Sequence, residues 1–160
     1  TEQHPDTMYV SANNGLYRSF DGGDIWARVQ TGNIRDYEVS TYDPATLFII
    51  KQSNDDEILI STDAGSTTPQ TGTITFNNSA STRIRVTADE PGYVYVQSNN
   101  GVWRSMDSAK TFVFQGISPA NMAFGVSDAD ADLLIWGGLN QDASFNGGVN
   151  YTNVCDWVDP

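Results

Sequence analysis

The sequence predicts an all-β chain assembled from repeated four-stranded antiparallel units, and three observations predict it. The first is a recurring turn: Ser19-Phe20-Asp21-Gly22-Gly23-Asp24-Ile25-Trp26 returns as residues 61–68 and again as residues 105–112. The copies start 42 and 44 residues apart (19 to 61, 61 to 105), a period that belongs to stacked repeats such as propeller blades. The second is a longer internal match, in which Tyr-Val-x-x-Asn-Asn-Gly-x-x-Arg-Ser-x-Asp fits both residues 9–21 and residues 95–107. The third is the pattern between these copies: short apolar or alternating runs bounded by Asn, Asp, Gly and Pro, with no helical period and no heptads. A two-sheet sandwich is the alternative fold, and the regular period argues against it.

Taken in order, Met8–Ser11 reads as a strand, Asn13-Asn14-Gly15 as a hairpin turn, and Leu16–Phe20 as the partner strand entering the first copy. Ile25–Val29 follows as an outer strand, so the first unit, residues 1–32, shows three strands and lacks an inner one. The second unit, 33–78, is complete. It has an inner strand at Tyr37–Ser40, a turn at Asp43-Pro44-Ala45-Thr46 and a doubly buried run at Leu47–Ile50. Glu57–Ile60 then enters the turn and Thr71–Phe76 forms the outer strand. The third unit, 79–117, repeats this with Thr82–Val86, a turn at Asp89-Glu90-Pro91-Gly92, and Tyr93–Val96. The fourth, 118–160, reads as degenerate. Met122–Val126 and Leu133–Trp136 are its first two strands, a long loop fills Gly137–Gly147, and Val149–Thr152 and Trp157-Val158 are the last two. Its recurring turn is expected at Thr152–Trp157, shortened and stripped of the acid.

Within the repeated turn, a Ser and an Asp two residues apart can capture turn N–H groups, and Gly23 and Gly65 supply positive φ. Trp26 and Phe112 would anchor the strand that follows. The pattern Ser-x-Asp-x-Gly-x-x-Trp resembles the Asp-box, or BNR repeat, of sialidases, sortilin-type receptors, xyloglucanases and related β-propellers. The resemblance implies a structural role for Ser19, Asp21, Gly23, Trp26, Ser61, Asp63, Gly65, Ser105, Asp107 and Phe112, on outer turns away from a functional face. Copy two lacks the aromatic, having Thr68, and copy three has Ala109 where the glycine belongs. Propellers of this kind have more blades than four. The chain is therefore expected to be either a small closed ring or an arc completed by identical copies or another chain.

The 20 acidic against 8 basic residues give a formal charge of −12, which repels nucleic acid and anionic membrane. No apolar run is long enough to span a bilayer. Cys155 is the lone cysteine and His4 the lone histidine, so neither a disulfide nor a Cys/His zinc site can form within the chain, and no Ser-His-Asp set is possible beyond His4. The chain begins at Thr1 without a signal-like segment, as a mature or excised piece would. An extracellular or cell-surface protein is expected, with Asn77 and Asn150 as glycosylation sequons.

Four constellations invite a chemical reading. Asp128, Asp130 and Asp132 alternate in one loop and form a candidate Ca²⁺ site, although the loop also aligns with the acidic turns at Asp43 and Asp89. Asn54–Glu57 is a second acidic turn. Arg18 and Arg104 hold the same repeat position, which makes them structural rather than a sialidase arginine cluster, and no Phe/Tyr-Arg-Ile-Pro motif is present. Local phrasing (Asp-Pro-x-Thr-Leu, Gly-Val-Trp-Arg-Ser-x-Asp) resembles xyloglucanases most, which implies an acid pair across a cleft; Asp36 and Glu38 are candidates, with Tyr42, Trp136 and Asn140 as a sugar platform. No catalytic residue is assigned. The expected function is a non-catalytic binding or assembly module, with a glycan-active hydrolase as the alternative; a peptide-binding receptor of the sortilin type is disfavoured by the single cysteine.

Overall fold

The computed structural model describes residues 6–67, 69–77, 82–99, 101–119, 123–138 and 140–156. Met122, Thr68, Asn78-Ser79, Trp157-Val158 and His4 lie outside these, and so do the expectations placed on them. The chain divides into two compact units, Thr1–Asn78 and Ser79–Pro160.

In the first unit, β1 (Met8–Ala12), β2 (Gly15–Ser19) and β3 (Ala27–Thr31) form a three-stranded meander. β4 (Ile34–Val39), β5 (Leu47–Lys51), β6 (Asp55–Ser61) and β7 (Gln70–Asn77) form a four-stranded one. Apolar residues two apart on each strand point to one face, and the facing sides of the two sheets meet in one core. Leu16, Ile34, Leu47, Ile49 and Leu59 are buried there, with Tyr9, Val29, Tyr37 and Val39 packed against them. Each fully buried aliphatic chain contributes about 1.5–3 kcal/mol.

The second unit repeats the design. β8 (Arg83–Val86), β9 (Val94–Ser98), β10 (Gly101–Ser105) and β11 (Val113–Gly116) make one meander. β12 (Ala123–Val126), β13 (Leu134–Gly137), β14 (Asn140–Ser144) and β15 (Thr152–Asp156) make the other. Tyr95, Val102, Phe124, Leu134 and Trp136 form the core, with Tyr93 and Val126 against it. Tyr9 and Tyr95, Leu16 and Val102, Leu47 and Leu134, and Ile49 and Trp136 are counterparts in the two cores. In all four sheets the pairing of the last two strands shifts register at one point, a β-bulge that increases local twist.

Two expectations change here. The loop over 137–147 contains a strand, β14, so Val149–Thr152 is not the third strand of its sheet; β15 is the fourth. The acidic turn at Asn54–Glu57 is also mostly strand. Asp55 opens β6, and Asp56, wholly buried, forms an ion pair with Arg35 Nε at 2.7 Å. A buried carboxylate of this kind survives only with such a partner, and nothing in the local run of acids distinguishes it from a solvated turn.

Candidate functional site

The repeated turn is built around a serine hydroxyl. Ser19, Ser61 and Ser105 are all but fully buried. Each donates its Oγ–H to the aspartate two residues on (2.6, 2.9 and 2.8 Å). Each also accepts the N–H of the residue four positions on, at 2.9, 2.8 and 2.9 Å. The carboxylates then accept from the backbone of Ile25, Ser66 and Thr111. To make this loop, the fourth and fifth positions both take left-handed φ. Residues other than glycine do so at Ala64 (57°), Ser108 (59°) and Ala109 (65°).

A fourth turn of the same construction lies in the stretch expected to be a loop. Ser144 donates to Asn146 Oδ1 at 2.9 Å and accepts the Gly148 N–H at 2.9 Å, while Asn146 Oδ1 accepts from Asn150 N at 3.0 Å. The box of the fourth sheet is therefore Ser144–Tyr151, not Thr152–Trp157. Ser144-Phe145-Asn146-Gly147-Gly148 matches Ser19–Gly23 at four of five positions; the amide in place of the acid hid it. Trp26 also departs from expectation. It is 38% exposed, precedes β3 and donates its indole N–H to Gly23 O, so it closes the turn instead of anchoring a core. Phe112 likewise lies before β11, half-buried.

The carboxylates carry a pH signature. The Ser19 hydroxyl, then the Ile25 N–H, hold Asp21 below the usual range; the Thr67 and Ser61 hydroxyls do so for Asp63. Asp107 falls to about 2, chiefly through the Thr111 N–H. A lowered folded-state pKa contributes stability that is complete above the unfolded value and lost as pH falls through the folded one. Stability should therefore decline as pH drops from about 4 towards 2, and Asp107→Asn should flatten that decline. Urea midpoints measured across this range check both.

Arginines join neighbouring turns within each unit. Arg18 on β2 donates Nη1 to Ala64 O and, at 3.2 Å, to Ser66 Oγ in the next turn. Arg104 on β10 meets Asp132 Oδ1 at 3.1 Å, beside Gly147. The equivalent positions on β6 and β14 hold Ile60 and Ala143. Both arginines thus act as clasps, as their repeat position suggested.

The other candidates resolve individually. Asp130 Oδ1 caps its own loop by accepting the Asp132 N–H at 3.0 Å, as Asp43 does for Ala45, and Asp132 is held by Arg104. Asp128 is exposed. Among the described residues no group of three or more His, Cys, Asp or Glu could hold a metal ion. Asp36 and Glu38 sit half-buried on β4, opposite Ile50 and Phe48. Tyr42 is exposed at 46%, but Trp136 is at 1%, packed with Phe124, and offers no sugar platform. Asn150 is exposed in the fourth turn; the Asn77 and Asn140 side chains lie outside the described set.

The open feature is the edge of the first sheet. Among the described residues β1 lies at that edge, paired only with β2. Its counterparts β5 and β9 are flanked on both sides and buried almost throughout; β13, also flanked, alternates, with Ile135 at 48%; β1 is exposed at four of five positions, with Met8 at 44% and Val10 at 45%.

No protein-family profile and no curated protein sequence matches the chain. Solved structures do. An ancestral GH74 enzyme superposes with TM-score 0.76 at 16% identity, over 94% of this chain and 24% of that one. The GH74 xyloglucanase from Xanthomonas campestris gives 0.74 at 14%, over 93% and 28%. YCF48 bound to D1 peptide gives 0.66 at 16%, over 92% and 50%. These likenesses establish the β-propeller fold, and the chain spans a quarter to a half of each of those proteins.

Proposed function

We propose that this chain is a non-catalytic β-propeller module for binding and assembly, completed at β1 by another polypeptide strand from an identical copy or a different chain. The exposure of β1 carries the reading. A strand whose outer side faces no neighbouring strand among the described residues, with apolar side chains in water, is a template for strand addition, although the Tyr9 carbonyl already accepts the Tyr37 hydroxyl at 2.8 Å. The flanked counterparts β5 and β9 are buried almost throughout. The acidic composition and the two sequons suit an extracellular or cell-surface setting, where the fourth-turn Asn150 is an accessible acceptor.

Native mass spectrometry and sedimentation across the micromolar range test the proposal. The expected result is concentration-dependent self-association, or capture of an added extended peptide, that is lost in Ser11→Pro; in the β1–β2 register Ser11 turns its N–H away from β2, and its exposed side chain leaves the core untouched. A stable monomer that binds no strand at about 100 µM, which sets Kd above that value, would overturn it.

The likeness to GH74 enzymes supports a second reading, a portion of a glycan-active propeller. Release of sugar from xyloglucan by the isolated chain would establish that reading and displace the first.

A further inference from the structure

Of the chain's eight lysines and arginines, six are engaged. Arg18, Arg35, Arg83, Arg85 and Arg104 make hydrogen bonds or ion pairs, and Lys110 is engaged as well. Among the described residues only Arg28 and Lys51 form none, and Lys51 leaves even its cross-strand neighbour Glu57 unpaired. In a chain with 20 acidic residues, cations that decline every available carboxylate need a reason.

Both line one open groove of about 450 Å³ in the first unit, between β3 and the second repeated turn, together with Gln30, Thr31, Ser66 and Thr67. One glycine seats the Lys51 stem: a Cβ at Gly32 would fall 2.9 Å from Lys51 Cε. The Arg28 Cδ lies beside Gly15, 3.0 Å from the Cβ position there, although it is the still nearer Gln30 carbonyl that keeps that residue a glycine. Gly15 is the cross-strand partner of Thr31, and Gly32 follows Thr31 directly. Both cationic stems therefore run to the same end of β3, and the missing side chain at Gly32 makes room for Lys51. Gly32, at φ +100°, holds a backbone that disfavours any residue with a Cβ, so the space beside Lys51 is fixed by the chain path.

We infer that this groove binds an oxyanion, a carboxylate or a sulfate- or phosphate-type group on a small ligand, between Arg28 and Lys51 at the Thr31 end of β3. Charge-assisted bonds from guanidinium and ammonium are the strong ones for such groups. Two acids lie close, Glu57 across the strand from Lys51 and Asp63 bonded to Ser66 N and Thr67 Oγ1, but neither pairs with Arg28 or Lys51; acids farther than about 10 Å are screened at ordinary ionic strength. The hydroxyls of Thr31 and Ser66 add neutral donors along the same wall. This inference is independent of how β1 is completed.

The test is an amide NMR titration of the intact chain with sodium sulfate and, separately, with citrate, at constant ionic strength set with NaCl. Saturable shifts at Thr31, Gly32 and Ser66 are expected, with half-saturation on the order of 1–10 mM. Arg28→Gln or Lys51→Gln should each weaken binding about tenfold, and the double variant should abolish it. Lys110→Gln, the same change in charge elsewhere, should leave it intact. Saturation by sulfate alone assigns a tetrahedral anion, and by citrate alone a carboxylate; either supports the site. No saturation with either up to about 50 mM, or shifts that persist in the double variant, would overturn it. Because neither side chain makes a hydrogen bond, the variants should melt as the parent does, and this is checked on the same samples.

Discussion

Gly65→Ala should destabilise the chain by about 2–4 kcal/mol, read as a fall in the urea or thermal midpoint. Two costs add. At φ +79° a residue with a Cβ costs about 1–2 kcal/mol relative to glycine, and overpacking adds about 1–3 kcal/mol. The clash is specific: the new methyl carbon would lie 2.7 Å from Val29 Cβ on the neighbouring sheet of the same unit. Gly22→Ala separates the terms. Gly22 has a similar φ of 72° and nothing within 4 Å of its Cβ position, so only the backbone cost applies, partly offset by a stiffer unfolded chain, for a net loss of about 0.5–1 kcal/mol. The tolerance of Ala64 and Ser108 at that same repeat position agrees. Equal losses in the two variants would remove Val29 from the explanation.

Ser105→Ala should cost about 2–3 kcal/mol, because the loss is of an acceptor inside a closed turn. The hydroxyl is 1% exposed and takes the N–H groups of Asp107 and Ala109 while donating to Asp107. Without it two N–H groups lose their acceptor. Asp107→Asn should cost less at neutral pH, since Asn146 shows that an amide oxygen fills the same place. Urea unfolding of the two variants gives the order directly; a greater loss for Asp107→Asn would make the carboxylate, not the hydroxyl, the centre of the turn.

The strands were legible in the sequence because their signal is local. The run Leu47–Ile50 is buried throughout, and the Asn-Asn-Gly hairpins lead into β2 and β10 at the match between residues 9–21 and 95–107. The turns were legible only where both Ser and Asp were present. The fourth is hidden by Asn146 in the place of the acid, although the geometry depends on the hydroxyl and on two successive left-handed residues. The Arg35–Asp56 pair was illegible for a different reason: 21 residues separate its members, and their burial follows from how β4 and β6 lie in the sheet. The groove pair is similar. Arg28 and Lys51 acquire meaning only when every other cation has been found occupied.

The arginine clasp occurs at Arg18 and Arg104 but not at Ile60 or Ala143, so the chain's true repeating element is a sheet pair about 86 residues long (Tyr9 to Tyr95). A single sheet of this kind is half of a module. Lineages that lengthen or shorten such a chain by duplication or deletion would keep every clasp matched to its turn only by moving in steps of two sheets. An odd step would set an arginine against a neighbour that has no place for it.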